Sequence, residues 1–215
     1  MPYRITPLVN GEYYHVYNRG VSKIPIFNDE LGYRHFIKAM LYYSIDGKKP
    51  KLSIFSPEST KLDSSKKIAN VICYCLMPNH FHFILQQVKE GGITEFIRKL
   101  CNSHSKYINT KTNRVGPLFQ GPFKAIHVEA EEQLLHLSRY IHLNPHTAFL
   151  TNNLEDYKWS SYNEYINPEL SSFCEKRIIL DLFKKGDDYK QFVWSRADYA
   201  RELETIKHQL IDVEE

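Results

Sequence analysis

The chain of 215 residues is 42% hydrophobic and 25% charged, and its net charge is +3. This length suits one domain that buries a sizeable core. No stretch approaches the length of a membrane span, and the N-terminal residues lack the apolar segment of a secretory signal. The sequence therefore argues against a membrane protein, and the cytoplasm is the expected location.

Charge is unevenly distributed along the chain. Residues 1–128 contain 18 Lys and Arg against 8 Asp and Glu, whereas residues 129–215 contain 10 against 17. Between Phe96 and Val128 there are six basic residues and no acidic one. A charge run is often only a solvated surface, but a basic half of a chain favours a polyanionic partner.

Three elements are predicted in the first 67 residues. Alternating side chains predict a strand over 12–18, and Asn28 or Asp29 would cap a helix that runs to about Ser44. Residues 46–67 are rich in Lys, Ser and Pro. They predict a loop around a short strand at Leu52–Phe55.

The rest of the chain alternates between strands and helices. Strands are predicted at 68–76, 80–87 and 119–128, and helices at 94–109, 131–144, 175–184, 188–193 and 197–213. Pro145 should end the second of these helices, because the residue before a proline avoids helical geometry. This order of elements indicates an antiparallel sheet with helices on one face.

Two histidines stand two residues apart inside the apolar stretch from 74 to 85. Side chains at i and i+2 of a strand share a face, so His80 and His82 can converge on one ion. Two imidazoles on a rigid strand would begin a divalent-metal site that needs a third ligand. Taken alone, the pair would be interpreted more simply as two partly buried surface histidines.

The helix that begins at Glu131 carries a tyrosine and an asparagine near its end. Tyr140 and Asn144 are four residues apart and therefore share a face of the helix. A phenol and an amide oxygen side by side could serve as nucleophile and metal ligand. Taken singly, a packed tyrosine and a C-capping asparagine are the simpler interpretations.

Five motifs occur in the order that is typical of a known family. They are YHVYNRG at 14–20, CLMPNHFHFIL at 75–85, LFQG at 118–121, RYIHLNP at 139–145 and WSSY at 159–162. The chain thus resembles the REP-associated tyrosine transposases, which are single-tyrosine HUH nucleases. The resemblance implies an α+β fold with a ferredoxin-like antiparallel sheet and helices on one face. It divides the chain into a transposase domain (1–165) and a helical C-terminal extension (166–215).

The resemblance also implies a reaction. Tyr140 would attack a DNA phosphodiester to form a 5′-phosphotyrosine intermediate and a free 3′-hydroxyl. His80, His82 and Asn144 would hold the divalent metal, and these ligand types suit Mg²⁺ or Mn²⁺. The partner would be single-stranded or hairpin DNA. Related transposases include monomers and homodimers, so either state is compatible with the resemblance.

Several residues are candidates for contact with this DNA. Those predicted to bind the backbone or to stack on unpaired bases are Arg19, Arg98, Lys106, Lys124, Phe119 and Phe123. Two other functions stay open at this point. One is a domesticated binder of DNA hairpins without transposition activity, and the other is a metal hydrolase of small phosphoesters in which Tyr140 takes no part.

Overall fold

The computed structural model describes residues 7–57, 62–167, 169, 173–183 and 186–202. Within them, four strands form one antiparallel sheet in the order β2-β3-β1-β4. The strands are β1 (Tyr13–Arg19), β2 (Ala69–Met77), β3 (His80–Gln87) and β4 (Lys124–Val128). The predicted class, an α+β fold built on an antiparallel sheet, is confirmed.

The helices agree with most of the predicted ones. They are α1 (Glu30–Tyr43), α2 (Gly92–Thr112), α3 (Glu131–Thr147), α4 (Tyr162–Ile166), α5 (Arg177–Leu180) and α6 (Gly186–Trp194), and residues 197–202 are again helical. Of the two predicted caps of α1, Asn28 and Asp29, it is Asp29 that caps the helix, since its carboxylate accepts a hydrogen bond from the backbone N–H of Gly32 at 2.9 Å. The part of the last predicted helix beyond residue 202 lies outside the described residues.

Two predicted strands differ from the structure. The prediction of a short strand at Leu52–Phe55 is wrong, because this segment forms a turn within the long loop. The strand predicted from Phe119 begins only at Lys124, and Phe119 itself forms a single isolated bridge. Gly121 has a φ of +72° and Pro122 has no N–H to donate, so a regular ladder cannot run through this segment.

The predicted end of α3 at Asn144 is also wrong, because the helix continues through Pro145 to Thr147. Proline lacks the N–H that would otherwise bond to the carbonyl of Ile141, four residues earlier. The Asn144 side chain compensates for this loss. Its Nδ2 donates to the carbonyl oxygens of Tyr140 at 2.8 Å and of Ile141 at 3.4 Å.

Helices cover both faces of the sheet, whereas the sequence predicted them on one. Helices α1 and α2 pack over one face in a first core that includes Val16, Phe81 and Phe83. Helices α3 to α6 take part in a second core that includes Cys75 and Ile84. Strand β2 is buried at nearly every position, as a strand must be when both of its faces are covered.

The described part of the C-terminal extension belongs to this second core. Tyr189 and Val193 on α6 are fully buried. The Tyr189 hydroxyl lies 2.6 Å from Nδ1 of His142, a buried residue of α3. The division of the chain at residue 165 stays a prediction. Among the residues described, no helix has both the length and the hydropathy that crossing a membrane would require.

Candidate active site

Three neighbouring strands present polar side chains to α3. In the register of the sheet, β1 lies between β3 and β4 and pairs Tyr17 with His82 on one side and with Lys124 on the other. Arg19 is the partner of His80 in the same way. Side chains directly opposite each other on antiparallel strands share a face. These five residues therefore form one polar group at the end of the sheet where β2 turns into β3.

His80 and His82 converge as the sequence predicted. Their ring centroids are 4.9 Å apart and the rings are nearly perpendicular. Burial lowers the pKa of His80 to about 4, with a smaller contribution from the positive charge of Arg19. Burial also places the pKa of His82 well below its usual range. Both imidazoles are therefore neutral near pH 7, which is the form that binds metal ions.

Tyr140 lies beside one of these two histidines, His82. It is 52% exposed on α3, and the centroid of its ring is 5.8 Å from that of His82, edge to face. The same ring lies 6.3 Å from His15. Tyr140 is thus a half-exposed phenol with two imidazole rings within about 6 Å of its own ring. The structure thus brings together three of the residues that the sequence singled out.

Asn144 lies one helical turn beyond Tyr140 and is 8% exposed. Its amide nitrogen donates hydrogen bonds to the backbone carbonyls of Tyr140 and Ile141. This orientation leaves Oδ1 as the atom that can bind a cation. No cluster of three or more His, Cys, Asp or Glu able to hold a metal is present in the described part of the chain. Neutral imidazoles and an amide oxygen are nevertheless donor types that suit a divalent ion whose remaining ligands are water or phosphate.

The sequence did not single out His15 or Tyr17, which also lie beside His82. Nε2 of His15 lies 2.9 Å from Nδ1 of His82, and the two rings stack with centroids 5.1 Å apart. The ring of Tyr17 lies 5.8 Å from that of His82. The alternation of β1 does place His15, Tyr17 and Arg19 on one face. The pairing of β1 with β3, which brings that face to the histidines, has no local sequence signal.

Two of the predicted DNA-binding residues adjoin the site. Arg19 is exposed beside His80, and its Nε donates a hydrogen bond to Oε1 of Gln120. Lys124 is exposed on β4, and its Nζ lies 6.0 Å from the centroid of the Tyr17 ring. Guanidinium and ammonium groups at this position can hold a phosphate backbone close to Tyr140.

Two others lie on the opposite side of the sheet. Arg98 and Lys106 are exposed on α2, and they line a groove of about 890 Å³ together with His35 and Tyr107. The rings of His35 and Tyr107 stack there at 4.2 Å. Because α2 covers the first core, the sheet separates this groove from Tyr140, and the two lie on different surfaces.

The predicted stacking role of Phe119 is wrong. Its side chain is 8% exposed and packs in the first core, with its ring 5.9 Å from that of Phe81. A buried ring offers no face to a base. Phe123 is half-buried against the same core, so its predicted stacking role stays a prediction.

Comparison with known proteins agrees with the predicted resemblance. The family model described as transposase IS200 like matches residues 59–144, a segment that includes His80, His82, Tyr140 and Asn144. No curated protein matched the sequence. Among solved structures, the chain is similar to a REP-associated tyrosine transposase bound to a REP hairpin. The TM-score is 0.57 at 13% identity, over 80% of this chain and 89% of that one. These findings confirm the resemblance and the fold.

Proposed function

We propose that this protein is a transposase that cleaves and rejoins single-stranded or hairpin DNA, with Tyr140 as its nucleophile. The observation that carries the proposal is the half-exposed phenol of Tyr140, whose ring lies 5.8 Å from that of His82. The His82 ring in turn lies 4.9 Å from that of His80, and both imidazoles are neutral. The match to IS200-like transposases over residues 59–144 supports the reaction class. The structural neighbour carries a REP hairpin, which supports the form of the DNA.

The proposed reaction is a transesterification. The phenol oxygen of Tyr140 attacks the scissile phosphorus, and the bond from phosphorus to the 3′-oxygen breaks. The phenol proton passes to solvent, and the departing 3′-oxygen takes up a proton to become a hydroxyl. The DNA 5′-phosphate is then an ester of Tyr140, and attack by a 3′-hydroxyl reverses the step. Rejoining needs no nucleotide triphosphate, because the ester retains the energy of the phosphodiester bond.

His80, His82 and Oδ1 of Asn144 are the groups that would hold a divalent ion, which we propose to be Mg²⁺ or Mn²⁺. Bound there, the ion would supply charge stabilisation for the scissile phosphate and the leaving oxygen. Tyrosine has an unperturbed pKa of about 10 and is a weak nucleophile at neutral pH, so such assistance matters. Arg19 and Lys124 would hold the backbone on either side of Tyr17. A cytoplasmic location belongs to this proposal, because the substrate is DNA.

The test is to trap the covalent intermediate. A hairpin with single-stranded flanks is incubated with the protein and Mn²⁺, and the products are separated under denaturing conditions. A label at the 3′ end of the DNA should move with the protein, whereas a label at the 5′ end should appear on a shorter free strand. This asymmetry follows from a 5′-phosphotyrosine and would be reversed for a 3′-linked adduct.

Two variants identify the nucleophile. Tyr140→Phe should form no adduct while binding the hairpin as the native protein does, because it loses one oxygen from an exposed ring. Tyr17→Phe, a second phenol near His82, should still form the adduct. Adduct formation by Tyr140→Phe would refute the assignment. Hairpin binding without any adduct in the native protein would instead support the domesticated binder.

A further inference from the structure

The ring of His15 contacts His82, one of the three candidate metal ligands, through a hydrogen bond. Its Nε2 lies 2.9 Å from Nδ1 of His82, and the rings stack at an angle of 22°. His15 lies on β1 and is half-buried, and its position on the histidine-facing side of the sheet is fixed by the pairing of β1 with β3. Nothing in the proposed reaction uses His15 so far.

A hydrogen bond between two neutral imidazoles requires a proton on one nitrogen and a lone pair on the other. If Nδ1 of His82 carries the proton, Nε2 of His82 has a free lone pair and can bind a cation. If Nε2 of His15 carries the proton instead, His82 must be protonated at its own Nε2, which then cannot bind a metal. The direction of this one hydrogen bond therefore decides whether His82 is a ligand.

His80 shows the same arrangement with a different partner. Its Nδ1 lies 2.6 Å from Oδ1 of Asn79, and because an amide oxygen can only accept, His80 must donate from Nδ1. The Asn79 amide is oriented by a second hydrogen bond, from its Nδ2 to the carbonyl of Lys23 at 3.3 Å. His80 is thus protonated at Nδ1 and has its lone pair at Nε2.

We propose that His15 and Asn79 are positioning residues that accept a hydrogen bond from Nδ1 of His82 and of His80, respectively, and so keep both Nε2 atoms available for the metal. Among the described residues, no hydrogen bond reaches Nε2 of either His80 or His82. Metal-binding histidines generally donate their second N–H to such an acceptor, and removing it weakens metal binding by about 10- to 100-fold. This inference rests on the proposed function of His80 and His82.

The first test reads the tautomers directly. Long-range ¹H–¹⁵N correlation spectra of the metal-free protein distinguish protonated from unprotonated imidazole nitrogens. We expect both His80 and His82 to carry the proton on Nδ1, and His15 to carry it on Nδ1 as well. A proton on Nε2 of His82 in the native protein would overturn the inference about His15, whether or not the protein cleaves DNA.

The second test measures affinity for Mn²⁺ by titration calorimetry, without DNA. His15→Leu and Asn79→Ala should each raise the Kd by about 10- to 100-fold. His15→Gln should stay within about 3-fold of the native value, because its amide oxygen can replace Nε2 as acceptor. Tyr17→Phe alters another ring beside His82 but leaves the hydrogen bond between His15 and His82 in place. It is the matched control and should bind Mn²⁺ normally.

The outcomes separate this inference from the proposed function. His15→Gln and His15→Leu could lose Mn²⁺ affinity equally, and electron spin-echo envelope modulation of the Mn²⁺ complex could show three coordinated histidine nitrogens. These two results together would make His15 a ligand and not a positioning residue. An unchanged Kd in His15→Leu would also overturn the inference. The native protein could instead carry the proton on Nδ1 of both His80 and His82 and bind Mn²⁺, yet form no DNA adduct. This result would refute the proposed function and leave the roles of His15 and Asn79 intact.

Discussion

His104 and His82 lie on opposite sides of the sheet and show that burial by itself does not mark a functional histidine. His104 is fully buried in the first core, and burial lowers its pKa to about 4. It lies 2.7 Å from the carbonyl of Ile26, to which its Nε2 donates. His82 is nearly as buried, and its pKa is lowered for the same reason.

The difference between the two histidines is in what surrounds them. The ring of His104 lies about 5 Å from those of Phe27 and Phe36, inside an aromatic cluster. His82 instead adjoins a second imidazole on its own strand and the half-exposed ring of Tyr140. A shifted pKa indicates a functional site only where the group converges with other reactive groups at a surface that a substrate can reach.

The largest expected effect sharpens this contrast. His80→Ala and His82→Ala should each reduce adduct formation by at least about 10²-fold, because a bound cation supplies several kcal/mol of charge stabilisation. A chelator should inhibit the native protein, and Mn²⁺ or Mg²⁺ should restore it. His104→Gln is the matched variant in the other core. Adduct formation per folded molecule of His104→Gln should equal that of the native protein. A similar loss of adduct formation in this variant would mean that His104 and His82 do not differ in function.

The second prediction concerns stability in acid. The unfolded chain protonates His104 near its ordinary pKa of 6.5, whereas the folded chain protonates it only near pH 4. The unfolded state therefore binds more protons between these values, and stability falls as the pH falls from 6.5 to 4. This one residue should account for about 2 to 3 kcal/mol at pH 4.5.

Urea unfolding of the native protein and of His104→Gln at pH 7 and pH 4.5 measures this contribution. The neutral glutamine should make the loss of unfolding free energy between the two pH values smaller by about that amount. His142 is also buried, with its pKa lowered by burial to about 3, so part of the acid sensitivity should persist in the variant. An identical pH dependence in both proteins would mean that His104 is not buried as a neutral group.

The third prediction compares the basic residues on the two sides of the sheet. Neutralising Arg19 and Lys124 together should flatten the salt dependence of hairpin binding by about 1.4 in log–log slope, at about 0.7 per phosphate contact. It should also slow adduct formation at saturating DNA, because both residues adjoin the site. Neutralising Arg98 and Lys106 together should flatten the slope similarly but leave that rate unchanged. An unchanged slope in the second pair would mean that α2 presents only a solvated surface.

The smallest effect is expected at Asn144. Asn144→Ala should weaken Mn²⁺ binding by less than about 10-fold, since water can replace an amide ligand. It should also cost about 1 kcal/mol of stability through the lost hydrogen bonds to the Tyr140 and Ile141 carbonyls. Asn144→Asp retains an oxygen ligand and adds a charge, so it should bind Mn²⁺ at least as well as the native protein. Weaker Mn²⁺ binding by Asn144→Asp than by Asn144→Ala would argue against a ligand at this position.

Local periodicity was enough to determine several parts of this protein. The two-residue period of β3 places His80 and His82 on one face, and the helical period of α3 places Tyr140 and Asn144 on another. The cap at Asp29 and the hairpin between β2 and β3 follow from equally local signals. These features are set by neighbours within about four residues along the chain, and the sequence therefore predicts them.

Tertiary structure alone decided the rest. The insertion of β1 between β3 and β4 brings His15 and Arg19 to the histidines, and it joins residues between 61 and 115 positions apart. The second helical layer and the burial of Phe119 depend on which apolar faces meet. Strand pairing and core packing depend on the total apolar surface that folding removes from water. This total is a property of the whole chain and cannot be predicted from any short segment.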